Sequence, residues 1–431
     1  MWSTAFNHHP TLGWVQDLWI GIATGDVTVI VATVLAVFML VVLAVCAFQH
    51  HIANLVLNRL SVLEPSKSES RLEPAPRVSV LLPARNEQHN IKCCLDGLLA
   101  QDYPNFEVIV IDDRSTDGTA EIVQKYVRCD GRLRLIRNAK LPEGWTGKNH
   151  ALHLGLEEAQ GQYLLFVDAD VWLHPRALSE TVCVATREQI DMVSLAGNYH
   201  NVSFWEKTLN PIFVGLMTLC FQLWKVNDPN SKTAFAYGPY IFVRRDAYRK
   251  IGGHMAVRGS FIDDVMLGRA VKNAGFTLRV LRAPELVRIR LYRSLDEIRH
   301  GWLRICCGAM DHAPQLAWVE LTAILTFVFA PWVVLSGATV AATFVGLTPA
   351  LSVLLLASTL AILVQCSVVA RLYRTTGGSW YYSFMLLPAN LVVVGTWLAA
   401  MHKLQFGGRV LWRESHYASR NGSIPGNGES L

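Results

Sequence analysis

Tyr163–Trp172, with the sequence YLLFVDADVW, joins an apolar run to two carboxylates that stand one residue apart. The apolar half, Tyr163–Val167, has the length and composition of a buried β-strand. Asp168 and Asp170 follow at its end. Because burying like charges costs free energy unless a positive group balances them, the stretch predicts a binding site at the end of a strand, with a cationic partner for the two aspartates.

Apolar residues are concentrated outside the region that contains this stretch. The chain has 431 residues, of which 52% are hydrophobic. Four predominantly apolar segments, at 27–48, 316–337, 345–370 and roughly 380–401, are each long enough to span a bilayer. Most of the charge falls between 77 and 300. We therefore expect an integral membrane protein with a water-facing domain between an N-terminal anchor and a C-terminal membrane cluster.

The distribution of basic residues predicts the orientation of the anchor. Residues 1–26 contain no Lys or Arg, whereas four basic residues follow the first span: Arg59, Lys67, Arg71 and Arg77. The positive-inside rule then places the central domain in the cytoplasm, in a bacterial-type cytoplasmic membrane. The number of C-terminal spans stays open, because basic residues also follow the last apolar segment and Pro388–Asn390 could break that segment into a re-entrant hairpin.

Composition along the chain predicts seven segments. A Ser-, Glu- and Pro-rich stretch without periodicity ends the linker that follows the anchor. Basic and apolar faces at 291–310 favour an amphipathic helix at the membrane interface, whereas 204–224 could be a core helix or an interfacial one. The segments are a non-cytoplasmic part at 1–26, the anchor at 27–48, a linker at 49–76, the globular domain at 77–290, the interfacial helix at 291–310, membrane segments within 316–401, and a basic tail at 402–431.

Strand-like and helix-like patterns alternate through the globular domain. The strand patterns are Val78–Leu82, Phe106–Ile111, Leu133–Ile136 and Tyr163–Val167. Their spacing predicts an α/β fold with a doubly wound, mostly parallel sheet. Ligands of such sheets bind beyond the carboxyl ends of the strands, so the chemistry is expected there.

Polar groups follow three of these strands. The carboxylates at the strand ends are Glu87, Asp112, Asp113, Asp168 and Asp170. A hard divalent cation, Mg²⁺ or Mn²⁺, that arrives with the phosphates of a ligand would balance their charge. Lys148 begins a helical pattern after the flexible run Gly144–Gly147, where a lysine and free backbone N–H groups can meet phosphate oxygens.

Several other kinds of site are disfavoured. No GxGxxG follows the first strand and no GxxxxGK[ST] occurs, which argues against a dinucleotide-binding Rossmann domain and a P-loop. The nine cysteines include no CxxC, so neither a disulfide framework nor a zinc site is indicated. The net charge of +5 is modest, and the basic residues of the chain gather near the membrane segments, where they suit anionic lipid headgroups. We therefore expect no nucleic-acid partner.

Five motifs in order carry a family resemblance. They are Val78–Glu87, IDDRSTDGT (111–119), GKNHAL (147–152), VDAD (167–170) and Asp263–Asp264. Over residues 77–285 the chain resembles family 2 glycosyltransferases, whose domain has the GT-A nucleotide-sugar-binding fold. The membrane flanks and LYRSLDEI (291–298) are similar to the lipid-directed branch, which includes hopanoid-associated and carotenoid glycosyltransferases.

The resemblance implies roles for particular residues. Asp168 and Asp170 would form the metal-binding DxD pair, and Asp264 would be the general base, its pKa raised by the neighbouring Asp263. On the side of the acceptor or the diphosphate, the candidates are Gly238, Arg299, Trp302 and Arg304. The donor-binding residues would be Pro83, Glu87, Asp112, Asp113, Lys148, Asp168 and Asp170.

The expected function is an inverting, metal-dependent transfer of a sugar from a nucleotide sugar to a membrane lipid. A UDP-sugar is the expected donor, and a hopanoid, a carotenoid or a similar lipid is the expected acceptor. A processive polysaccharide synthase is a rival, but the region 299–304 reads RHGWLR and lacks the QxxRW motif of such synthases. A non-catalytic membrane scaffold with a GT-A-like domain is another. No motif indicates which sugar or which lipid is used.

Overall fold

The computed structural model describes residues 27–66, 73–312, 314–406, 409–412 and 415–418. The predicted segment 1–26 and much of the predicted tail 402–431 lie outside these residues. The chain folds into two compact units. The first includes 27–53, 318–374 and 379–391, and the second includes the described residues within 54–317, 375–378 and 392–418.

A seven-stranded sheet forms the centre of the second unit, in the order β3-β2-β1-β4-β8-β6-β9. β1 pairs in parallel with β2 and β4, β2 with β3, and β6 with β9, whereas β8 is antiparallel to both of its neighbours. The predicted α/β class with a mostly parallel sheet is confirmed. The strands are β1 Val78–Ala84, β2 Phe106–Asp113, β3 Leu133–Asn138, β4 Tyr163–Val167, β6 Met192–Ala196, β8 Tyr240–Arg244 and β9 Leu278–Arg282.

Two smaller sheets accompany the central one. The first has the order β5-β10-β7, with β5 (Val171–Leu173), β10 (Val287–Ile289) and β7 (Asn198–Tyr199). The second is an antiparallel hairpin of β11 (Arg409–Trp412) and β12 (Ser415–Ala418). Because β5 begins directly after Asp170, its pairing with β10 restrains the chain just beyond the two aspartates.

Helices cover both faces of the central sheet. Alternate residues of β2 enter opposite cores: Val108 and Val110 face one, and Ile109 and Ile111 face the other. Helices α2, α3 and α5 pack on the first face, and α4 and α9 on the second. The helices of this unit are α2 Ile91–Leu99, α3 Thr119–Cys129, α4 Gly147–Glu158, α5 Ala177–Arg187, α6 Phe204–Cys220, α7 Arg245–Lys250, α8 Gly253–Ala256, α9 Asp263–Asn273 and α10 Leu295–His312.

Helices form within both apolar segments of uncertain position, 204–224 and 291–310. α10 occupies most of the predicted segment 291–310, with Ile298 and Trp302 buried and Arg299 exposed, as expected of an amphipathic helix. α6 ends at Cys220, and a short 3₁₀ turn, Leu223–Lys225, follows. Placement of α10 at a membrane interface remains a prediction.

The first unit is built from long apolar helices. Ala36, Met39 and Val42 pack in one buried cluster with Ala357 and Ala361, where small side chains allow close approach of helices. Within the described ranges, four helices are long and apolar enough to cross a membrane: Ile30–Arg59, Trp318–Val345, Pro349–Thr375 and Trp380–Phe406. Each includes one of the four predicted apolar segments or most of it.

The last of these segments does not break at Pro388–Asn390. After a 3₁₀ turn at Trp380–Met385, helix α14 runs from Leu386 to Phe406. Pro388 lies in its first turn, where a missing N–H costs no intrahelical hydrogen bond. The other helices of the membrane segments are α1 Val27–Arg59, α11 Pro314–Ile324, α12 Ala330–Val345 and α13 Pro349–Thr375, with a π-helical turn at Leu325–Phe329 between α11 and α12.

Candidate active site

One pocket collects most of the residues predicted for donor binding. It lies at the carboxyl ends of β1, β2 and β4 and at the start of α4, where a doubly wound sheet places its ligands. Arg304 of α10 also lines it. The predicted donor-binding residues that line this pocket are Pro83, Glu87, Asp113, Lys148, Asp168 and Asp170.

Asp112 is the predicted donor-binding residue that the structure does not bring to the pocket lining. Side chains alternate along β2, so Asp113 follows Ile111 on the α4 side and Asp112 follows Val110 on the other side. Asp112 is buried, with 5% of its surface exposed. The Asp112–Asp113 pair therefore supplies one carboxylate to the pocket.

Asp113 is held by a dense set of donors. Arg114 donates from Nε to Oδ1 at 2.9 Å and from Nη2 to Oδ2 at 3.0 Å, and Asn138 donates from Nδ2 to Oδ1 at 2.8 Å. Arg85 lies 3.9 Å away from Oδ2. Position 147 must be glycine here, because a Cβ would lie 2.2 Å from Asp113 Oδ2. The sequence prediction missed Arg85, Arg114 and Asn138, since nothing in their spacing marks them as partners of Asp113.

Glu87 is anchored at the rim of the same pocket. Its backbone N–H donates to Thr119 Oγ1 at 2.8 Å, and its Oε2 accepts from Asn90 Nδ2 at 2.8 Å. The side chain is buried, with 7% of its surface exposed. These contacts fix the carboxylate between β1 and the start of α2.

Lys148 is the cationic partner of Asp168 in this structure. Its Nζ lies 2.6 Å from Asp168 Oδ1 and 4.0 Å from Asp263 Oδ2. Burial alone would lower the pKa of Lys148, but the charges of Asp168 and Asp263 outweigh burial and raise it. The ammonium therefore stays charged and links the DxD pair to the predicted base region.

The donor set at Asp168 and Asp170 fits a metal that arrives with its ligand. Among the described residues, no group of three or more His, Cys, Asp or Glu side chains is arranged to hold a metal ion by itself. Mg²⁺ is commonly held by one or two carboxylates together with the phosphates of a substrate, rather than by an all-protein cage. Two aspartates in a pocket that also presents Lys148 and Arg304 match this mode of binding.

Asp264 is oriented by two backbone donors. Gly238 N–H donates to its Oδ2 at 3.0 Å, and Val265 N–H donates to its Oδ1 at 2.8 Å. A Cβ at position 238 would lie 2.8 Å from Oδ2, so glycine is needed for this approach. Burial, and then the charge of Asp263, raise the pKa of Asp264 to about 7. A carboxylate in this state can accept a proton near neutral pH.

Asp263 is surrounded by groups that the sequence prediction missed. His254 is buried, and its Nε2 lies 3.9 Å from Asp263 Oδ2, while its Nδ1 is 2.6 Å from Tyr248 Oη. Tyr248 Oη also accepts from the backbone N–H of His254 at 2.9 Å. Burial, then the charge of Lys148, lower the pKa of His254 to about 3. The histidine is therefore neutral at neutral pH.

Of the three α10 residues predicted for the acceptor or diphosphate side, the structure brings Arg304 to the pocket and not the other two. Arg299 points to the surface, with 62% of its side chain exposed, 3.9 Å from Asp296. Trp302 is 1% exposed and stacks on Phe213 of α6, with ring centroids 4.5 Å apart. Trp302 therefore packs α10 against α6.

Comparisons with known proteins agree with this geometry. Residues 79–252 match the family model described as Glycosyl transferase family 2. The 4,4'-diaponeurosporenoate glycosyltransferases of Staphylococcus aureus strains USA300 and NCTC 8325 are 26% identical to this chain over 256 residues, which is 58% of this chain and 66% of theirs. The match thus covers slightly less than two thirds of the relatives' own length.

A solved structure shares the fold. The mannosyltransferase from Pyrobaculum calidifontis, determined in complex with GDP-Man and Mn²⁺, aligns with a TM-score of 0.50 at 20% identity. The alignment covers 83% of this chain and 99% of that one. The predicted GT-A fold and the predicted family resemblance are confirmed.

Proposed function

We propose that this family 2 glycosyltransferase moves a sugar from a nucleotide-sugar donor to a membrane lipid. The observation that carries the proposal is the Lys148 ammonium, which contacts Asp168 of the predicted donor site and lies within 4.0 Å of Asp263, the neighbour of the predicted base. This pair of contacts supports a donor site that lies next to the predicted base.

The donor is expected to lie along the carboxyl ends of the strands. Pro83, Glu87 and Asp113 would bind the nucleoside, with Asp113 near the base and Glu87 near the ribose. Lys148 and Arg304 would contact the diphosphate, since both cations line the same pocket. On donor binding, Lys148 would turn one of its three N–H donors toward a phosphate oxygen.

Asp168 and Asp170 would hold the divalent metal, Mg²⁺ or Mn²⁺, that accompanies the donor. When bound, such a metal offsets the negative charge that grows on the leaving diphosphate. The proposal rests on the donor set of this pocket, and a UDP-sugar remains the expected donor.

Asp264 is proposed as the general base. Its carboxylate would take the proton of an acceptor hydroxyl while that oxygen forms a bond to the anomeric carbon of the sugar. The bond from the anomeric carbon to the diphosphate oxygen breaks on the opposite face, so the anomeric configuration inverts. The hydrogen bonds from Gly238 and Val265 hold the carboxylate for this transfer, and its raised pKa suits a base that acts near neutral pH.

A lipid acceptor is supported by the membrane segments and by the relatives. The part of the chain that the structure describes has four helices that could span a bilayer, and the relatives carry the name 4,4'-diaponeurosporenoate glycosyltransferase. We propose that the family 2 domain occupies 77–290 on the cytoplasmic side, as the basic residues after the first span predict. A hopanoid, a carotenoid or a similar lipid fits this setting.

The proposal is tested with the full-length protein in lipid nanodiscs that contain a total bacterial lipid extract. A panel of UDP- and GDP-sugars is supplied with Mg²⁺ or Mn²⁺, and nucleotide release and new glycolipid are measured, the latter by mass spectrometry. We expect one donor to give both products, and Asp264→Asn to lose transfer while retaining donor binding. Absence of nucleotide release and of glycolipid with every donor would overturn the proposal.

A further inference from the structure

Asn149 makes an unusual set of contacts at the start of α4. The side chain is fully buried, and its Nδ2 lies 2.9 Å from the carbonyl oxygen of Val257 and 3.1 Å from those of Arg258 and Ser260. An amide carries two N–H donors, so three acceptors at these distances share them. The Asn149 side chain thus binds three carbonyls of one short backbone segment.

That segment, 257–262, leads directly into α9, whose first two residues are Asp263 and Asp264. A second contact holds it to α4: the N–H of Thr146, the N-cap residue of α4, donates to the carbonyl of Arg258 at 2.8 Å. The N-terminal turn of α4 therefore binds the backbone immediately before the acid pair, Asp263 and Asp264.

The neighbouring residue in the sequence makes the complementary contact. Lys148 reaches Asp168 of the donor site and Asp263 of the acid pair through its Nζ. Lys148 forms these contacts with side chains, whereas the side-chain amide of Asn149 donates to backbone carbonyls of 257–262. A lysine can release its partner when a diphosphate binds, but a buried amide that holds three carbonyls stays in place.

We propose that Asn149 is a positioning residue for the proposed transfer: it fixes the segment 257–262 on α4, so that Asp264 keeps its place relative to the donor held by Lys148. The proposal rests on the proposed function of Asp264 as the base. It assigns Asn149 no contact with either substrate. Loss of the amide should displace the base while leaving the donor-binding residues where they are.

The test compares Asn149→Leu with a control, Asn227→Leu, in the full-length protein. Asn227 is also an asparagine that bridges backbone, donating from Nδ2 to the carbonyl of Val280 and accepting from its N–H, both at 2.8 Å. Asn227 is not among the residues that line the pocket. Both variants lose side-chain hydrogen bonds to the backbone, but only those of Asn149 hold the segment that leads to Asp263 and Asp264.

We expect Asn149→Leu to lower kcat of transfer by about 100-fold, the loss typical of an ångström-scale misplacement of a reacting group. The Kd of the donor, measured by calorimetry with metal present, should change by less than about threefold. The Asn227→Leu control should keep kcat within about threefold of wild type, even where its Tm falls.

An Asn149→Leu variant with wild-type kcat, or one in which donor affinity and kcat fall together, would overturn the positioning role. If Asn149→Leu does not fold, Asn149→Ser serves with the same criterion, because its hydroxyl is too short to reach three carbonyls. The wild type separates the two hypotheses. If wild type transfers no sugar the proposed function fails, and if wild type transfers sugar while the variant is unimpaired, the role of Asn149 alone fails.

Discussion

Asp264→Asn should change the pH dependence of stability as well as abolish turnover. Burial and the charge of Asp263 raise the pKa of Asp264 to about 7, so near pH 6 the folded protein holds a proton that the unfolded chain does not. Stability from this group is therefore lost as pH rises toward and through 7. The asparagine variant lacks the titrating carboxyl and should not show this loss.

The size of the effect follows from the shift. One pKa unit corresponds to about 1.4 kcal/mol, and the interval from pH 5 to 8 covers roughly two units of the shift, which gives an upper bound of about 3 kcal/mol. Because Asp264 is partly exposed and solvent screens its charge, we expect about 1–2 kcal/mol, or about 3–6 °C in Tm for a domain of this size. In the variant, the NH₂ group of Asn at position 264 must face either the Gly238 N–H or the Val265 N–H, both of which are donors. This mismatch costs about 1 kcal/mol, and the cost is the same at pH 5 and at pH 8.

The assay is thermal unfolding of the purified full-length proteins at pH 5 and pH 8 under otherwise equal conditions. The difference in Tm, variant minus wild type, should be more positive at pH 8 than at pH 5 by about 3–6 °C. Asp296→Asn is the matched control, because Asp296 is a surface carboxylate with 82% of its side chain exposed, and its difference should not depend on pH. A difference for Asp264→Asn that stays constant, or falls, between pH 5 and pH 8 would show that Asp264 does not carry a raised pKa.

Three further predictions concern the proposed reaction. Gly238→Ala places a Cβ 2.8 Å from Asp264 Oδ2, so kcat should fall at least tenfold while the donor Kd stays near wild type; an unchanged kcat would remove the glycine from the site. Lys148→Met leaves Asp168 without its cation, and the donor Kd measured by calorimetry should rise at least tenfold, as loss of a charged hydrogen bond implies; equal affinity would contradict the diphosphate contact. Chelation with EDTA should stop turnover, with recovery on addition of Mg²⁺ or Mn²⁺, whereas turnover that survives chelation would exclude the proposed metal at Asp168 and Asp170.

The sequence predicted the parts of the fold that depend on local pattern. β4 begins and ends at the residues predicted for it, and the strand ends meet at one edge, because alternating strands and helices leave few topologies for a parallel sheet. The four apolar segments were recognisable for the same reason, since length and composition alone identify a possible span.

Side-chain partnerships across the fold were not predictable from spacing. Asp112 and Asp113 are adjacent, yet the alternation of β2 sends only Asp113 to the pocket, and its partner Asn138 comes from another strand. Lys148 was predicted to lie near the donor diphosphate, but its ion pair with Asp168 could not be predicted from the sequence. Such pairings depend on register and rotamers, which a single sequence does not specify.

The same limit applies to α10. Trp302 and Arg304 are two residues apart, and a helical rotation of about 200° sends them to different surroundings. Trp302 packs on Phe213, and Arg304 lines the pocket. The sequence named Arg299, Trp302 and Arg304 together as candidates, and the packing of α10 decides which of them lines the pocket.

The most direct test of the central claim follows a labelled sugar into lipid. Membranes containing the full-length protein are incubated with a nucleotide sugar labelled in its sugar, with Mg²⁺ or Mn²⁺, and the label in the organic extract is measured for wild type and for Asp170→Ala. We expect metal-dependent transfer of label to lipid by wild type and its loss in the variant. Label that stays in the aqueous phase with every donor, or that enters lipid equally with Asp170→Ala, would contradict it.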